Sequence, residues 1–165
     1  MKIYLTLSLF FISANLFCQY SEINSNFSMT FPSKPESSIY PGDASGIIYQ
    51  YKSNNEYTIQ VVCISIPAEY QREITNSDIE PIALGFLGGY LRTAGGGQLL
   101  SKELLKIQNY KAIQFVYSLN SSLSLYKYAK MFFCYTPYNV YTIIYYYSGT
   151  NTTYNNYMKS FKIFN

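Results

Sequence analysis

The chain of 165 residues contains no histidine, no tryptophan and only three cysteines, and only 13% of it is charged. Each shortage removes a class of function. Without histidine the commonest general base and the commonest metal ligand are missing together, and two cysteines in strand-like runs do not make a zinc site. Carboxylate or Ser-Lys chemistry survives that loss, so the enzyme classes shrink without vanishing. A chain so poor in charge and 48% hydrophobic is the opposite of a disordered one. Its length suits one domain, expected over residues 19–165.

The glycines carry no nucleotide signature. Gly95-Gly96-Gly97 follows a helical pattern and leads into Gln98-Leu99-Leu100, a strand start. A phosphate loop requires Gly-Lys-Ser/Thr opening a helix, and a dinucleotide fold requires GxGxxG between strand and helix. No cofactor is expected.

Residues 1–18 read as an export signal. Lys2 supplies a short positive region and residues 3–12 an apolar stretch too short to span a bilayer. Cleavage after Ala14 or Cys18 leaves Gln19-Tyr20-Ser21 at the start of the mature chain, and a periplasmic or extracellular address follows. Lipid anchoring at Cys18 is disfavoured, because Phe17 and Asn15 stand where a small and an aliphatic residue are required. With Lys2 removed, 11 basic residues face 9 acidic ones, a net charge of +2 that names no partner. Cys63 and Cys134 then remain. In an exported chain they can form a disulfide if their strands are neighbours with matching faces, or stay as buried thiols.

What is abundant is tyrosine, 20 residues in all. The segment 124–147 holds two strand-like runs meeting at Thr136-Pro137. In its second run Tyr141, Ile143, Tyr145 and Tyr147 share one face, and Val140, Thr142, Ile144 and Tyr146 the other. A strand apolar on both sides belongs in the middle of a covered sheet, so the spacing places this hairpin in the core.

Other segments fit around it. Phe27, Met29 and Phe31 alternate in a first strand, and residues 46–52 and 57–66 form a hairpin with the polar tip Ser53-Asn54-Asn55-Glu56. Ile79, Ile82, Ala83, Phe86, Leu87, Tyr90 and Leu91 make a helical stripe, with Asp78 as its expected N-cap. Residues 99–107 and 110–119 pair around Gln108-Asn109, and Tyr154, Tyr157, Met158 and Phe161 mark a terminal helix. The expected class is α+β, an α-β-α sandwich around a largely antiparallel sheet of six or seven strands with two helices.

Three segments resemble the Mog/PsbP-like superfamily, which includes the PsbP proteins of photosystem II and many exported bacterial domains. Phe27-Ser28-Met29-Thr30-Phe31-Pro32-Ser33-Lys34-Pro35 resembles its opening strand and "FPxKP" turn. The stretch from Leu99-Leu100-Ser101-Lys102-Glu103 through Ile107-Gln108-Asn109-Tyr110-Lys111-Ala112-Ile113-Gln114-Phe115 is similar to its "G, strand, GYPG, EF" region. Here Asn109 and Lys111-Ala112 stand for Gly and Pro-Gly, and Gln114 for an acid. Tyr138-Asn139-Val140-Tyr141-Thr142 and Met158-Lys159-Ser160-Phe161-Lys162-Ile163 are similar to its closing segments. The resemblance implies an α-β-α sandwich and a role in binding or assembly, and it supplies no site residues.

On this reading the chain is an exported, non-catalytic binding or assembly module of the cell envelope. Its partner is a protein or envelope component, it has no membrane span in the mature chain, and it is a monomer. The alternative is a secreted hydrolase using Glu69, Glu73, Asp78 and Glu80, whose plainer role is a solvated loop and helix start. Nucleic acid is not expected: Lys127 and Lys130 differ by three and point to opposite strand faces, so the basic second half makes no stripe. Carbohydrate or peptide binding by exposed tyrosine rings stays open, weakened by the missing tryptophan.

Overall fold

The computed structural model describes residues 20–41, 44–54, 56–120, 122–150 and 152–164, so the expected export signal and Cys18 lie outside the described residues. The chain begins with β1 (Tyr20–Ile23), β2 (Phe27–Phe31) and β3 (Glu36–Ile39), followed by the hairpin β4 (Gly46–Ser53) and β5 (Tyr57–Ser65). A 3-10 turn (Ala68–Tyr70) leads to helix α1 (Asn76–Thr93). Then come β6 (Gly97–Ile107), β7 (Tyr110–Leu119), β8 (Tyr128–Tyr135) and β9 (Asn139–Tyr147), and the described chain closes with α2 (Thr152–Ser160) and β10 (Lys162–Ile163).

Seven strands make one sheet in the order β3-β4-β5-β9-β8-β7-β6, with every neighbouring pair antiparallel. The tyrosine-rich β9 is its middle strand. Every residue of β9 is buried except the half-buried Tyr146, as a strand apolar on both faces requires. Tyr141, Ile143, Tyr145 and Tyr147 enter one core, and Val140 and Ile144 enter the other.

Two different layers cover the two faces. On one, Ile79, Ala83 and Leu87 of α1 meet Ile113, Phe115, Met131, Phe133 and Ile144. On the other, Tyr154, Tyr157 and Phe161 join Phe27, Met29 and Phe31 of β2 over Tyr141, Tyr145 and Phe132. Phe27 lies 6.0 Å from Tyr141 and 5.8 Å from Phe161, ring centre to ring centre. The aromatic mass thus fills this side with edge and tilted ring contacts.

The architecture is the expected α+β class with an antiparallel sheet between two layers, and it departs from the sequence reading in detail. The first strand, β2, does not join the main sheet. It pairs with β1 and β10 in a separate three-stranded sheet, so the layer opposite α1 is mixed strand and helix. Helix α1 begins at Asn76 after Thr75, and Asp78 is its third residue. The Asp78 carboxylate reaches back to accept the Thr75 amide at 2.8 Å and the Thr75 hydroxyl at 2.7 Å. Both residue types suit a helix start, which is why the sequence placed the cap three residues late.

Candidate functional site

A single helix with its side chains is about 10–12 Å across. Six strand spacings of about 4.8 Å make a seven-stranded sheet about 29 Å wide. Helix α1 lies over β7 and β8, which leaves the β4–β5 side of that face open. Two clefts form beside the helix there, one at each end of the strands.

The cleft at the β4–β5 tip has a volume of about 600 Å³. Gln50, Lys52, Ser53, Asn54 and Thr58 of the hairpin form one side of it, and Tyr126, Tyr146 and the end of α1 another. Strand register assembles this wall, because Lys52 stands opposite Thr58 and Thr58 opposite Tyr146, all on the α1 face. Tyr126 stacks on Tyr146 with ring centres 5.9 Å apart and planes 19° from parallel. A hydrogen bond of 2.6 Å joins the Tyr126 and Thr58 hydroxyls, and the Tyr146 hydroxyl donates to the Tyr90 carbonyl at 3.5 Å. Burial pushes the Tyr146 hydroxyl up to about 12, so it is neutral at ordinary pH.

The glycine run builds the floor where helix and loop meet. Gly96 N–H donates to Leu91 O at 2.9 Å and Gly95 N–H to Arg92 O at 3.0 Å, the paired bonds of a Schellman end. Gly95 has φ of +86°, and a Cβ there would stand 2.5 Å from Leu123 Cβ. Only glycine lets the loop seat against the helix end. Asn120 shapes that loop: its side-chain oxygen accepts from Ser122 N–H and hydroxyl, and its carbonyl from the amides of Leu123 and Ser124. Ser124 in turn accepts the Tyr126 amide at 3.1 Å, and Leu123 and Leu125 stay exposed at the rim.

The four acids of the sequence reading are not gathered in one place. Glu69 lines the second cleft, of about 510 Å³, among Ile64, Ile66, Ile82 and Phe86. Glu73 lines a separate hollow with Lys111 and Tyr110, Asp78 closes the start of α1, and Glu80 pairs with Lys102 at 2.7 Å. Hydrogen bonds from the Thr75 hydroxyl and amide hold the Asp78 carboxyl below its usual range.

Cys63 and Cys134 are free, buried thiols and do not form the disulfide that export chemistry allows. Cys63 and Cys134 both stand opposite Tyr141, one on each neighbouring strand. Their faces match, but two strand spacings put their backbones about 10 Å apart, beyond the reach of a bridge. Burial pushes their thiols up to about 11 and about 12. Lys130 lies 4.7 Å from the centre of the Tyr154 ring on the side away from α1, and Lys127 is an exposed residue just before β8. Among the described residues no three His, Cys, Asp or Glu side chains come together, and no helix is long and apolar enough to cross a membrane.

Sequence reasoning missed the tip cleft. Its one local sign was the polar end of the β4–β5 hairpin, since Thr58 and Tyr126 are 68 positions apart. No protein-family profile and no curated protein sequence matches the chain. Among solved structures, it is similar to the solution structure of cyanobacterial PsbP (CyanoP) from Synechocystis sp. PCC 6803. The TM-score is 0.62 at 10% identity, over 88% of this chain and 91% of that one. At that identity the likeness speaks for a PsbP-like fold and for nothing finer.

Proposed function

We propose that the chain is a non-catalytic binding module of the Mog/PsbP-like superfamily, exported to work at the cell envelope or beyond it. The observation that carries this reading is the tip cleft. Among the described residues it is lined by amides, hydroxyls, one ammonium group and two stacked rings, and by no carboxylate. Such a lining can hold a ligand through apolar contact and a few placed polar groups. It has no acid/base pair with which to transform one. The apolar segment 3–12 behind Lys2 supports export, and the PsbP-like fold is compatible with an accessory role.

Two measurements test the proposal. A fusion of residues 1–24 to a reporter that folds only after translocation should be active, with cleavage after Ala14 or Cys18. The purified protein should gain thermal stability from a bound ligand without releasing product. Turnover of a hydrolase substrate that Glu69→Gln abolishes would make the chain an enzyme instead.

A further inference from the structure

Taking the binding-module reading as its premise, we propose that the tip cleft is a carbohydrate site that takes a neutral pyranose oligosaccharide along the Tyr126–Tyr146 slab. The volume of about 600 Å³ lies within the range of small-ligand sites and suits a few sugar rings. The two tyrosine rings stack near parallel, and both line the cleft, where they present apolar ring surface. Their hydroxyls are tied to Thr58 and to the Tyr90 carbonyl, so the slab is already in place before a ligand arrives. A pyranose has one face of C–H groups, which packs on an aromatic ring, and a rim of hydroxyls that must be hydrogen-bonded when water is displaced.

The remaining lining matches that rim. Gln50 and Asn54 each present a donor and an acceptor, and Ser124, whose hydroxyl accepts the Tyr126 amide, has its O–H left to donate. Vicinal sugar hydroxyls also donate and accept at once. An anionic ligand fits poorly, because Lys52 is the one cation among the described residues of the lining and Thr93 and Ala94 bring the negative end of α1 to the cleft. A cationic ligand finds no carboxylate among the described residues of the lining. A proline-rich peptide requires separate aromatic slots, and its proline residues offer acceptors without donors, whereas these rings form one slab. Leu125, 93% exposed at the rim, extends the apolar surface for a further sugar unit.

The test uses the full chain and isothermal titration with cellohexaose, laminarihexaose, xylohexaose, maltohexaose and chitohexaose, alongside an oligouronate and a proline-rich peptide. At least one neutral oligomer should bind. Gln50→Ala and Tyr126→Ala should each weaken it by about tenfold or more, while Glu69→Gln, in the other cleft, should bind as the parent does. Circular dichroism checks folding, and if Tyr126→Ala fails to fold, Gln50→Ala on the half-buried face of β4 decides. The carbohydrate assignment is overturned if no neutral oligomer binds, or if binding ignores both cleft substitutions. It is also overturned if the oligouronate or the peptide binds there more tightly than every sugar, although the binding-module reading then stands. Release of new reducing ends would refute the non-catalytic reading and leave the sugar site in place.

Discussion

A core built on tyrosine should fail at high pH, and the structure says how far. Burial raises the hydroxyls of Tyr90, Tyr145 and Tyr146 to about 12, and burial also pushes those of Tyr141, Tyr154 and Tyr157 up. In the unfolded chain each titrates near 10. A group whose folded pKa is raised contributes stability that is complete below its unfolded pKa and is lost as pH climbs toward the folded one. At pH 11 the unfolded state gains about 1.3 kcal/mol for each such residue, reduced to about 1 where Tyr90 and Tyr146 are partly open to solvent. Six residues together give about 7 kcal/mol, comparable with the whole stability of a domain this size. A base titration followed by far-ultraviolet circular dichroism should therefore show one cooperative step near pH ~11, with the buried rings' share of the tyrosinate absorbance at 295 nm rising in that same step. Smooth ionisation near pH ~10 with the dichroism intact beyond pH ~12 would refute the placement of these rings in the core.

Three further outcomes follow from particular contacts. Gly95→Ala should destabilise the protein by about 2 kcal/mol or more in urea, more than Gly96→Ala. Both residues have positive φ, but only at Gly95 does a Cβ collide, with Leu123. Tyr57 and Tyr157 share a buried hydroxyl pair at 3.1 Å. Changing either to Phe should cost about 1–2 kcal/mol and changing both should cost clearly less than the sum, measured as a double-mutant cycle. Cys63 and Cys134 should resist a thiol reagent in the folded protein and react on unfolding, with a melting temperature indifferent to reductant; a drop on adding reductant would show a bridge.

What could be read from the sequence was what periodicity encodes. The two-sided apolar pattern of residues 140–147 made β9 the middle of a covered sheet, and the stripe from Ile79 to Leu91 made α1. The glycine run closes α1, a role that needs the approach of Leu123, which has no local sign. Short edge strands went unread for a similar reason. All four residues of β3 are exposed, so nothing alternates, and β10 is two residues recruited by β2. The separate small sheet depends on Phe27 meeting Phe161 across more than a hundred residues, which no window reaches.

The same geometry says where this molecule can meet a ligand. On the side of β2, β10 and α2, the sheet is closed by Phe27, Phe31, Tyr157 and Phe161, whose rings interlock with those of β9. To open that face would mean unpacking the core, so its many tyrosines serve stability. On the other side one helix covers a sheet more than twice its width, and the open margin falls over β4 and β5. Tyrosine appears there too, as Tyr126 and Tyr146, but half-buried, with hydroxyls tied back to the frame and rings left to form a wall. One residue type therefore does two jobs, and the layer above each strand face decides which. Widening α1's cover, for example by Gly89→Leu on its open side, tests that rule in the stable frame. It should leave the fold intact, because nothing lies within 4 Å of a Cβ at that position.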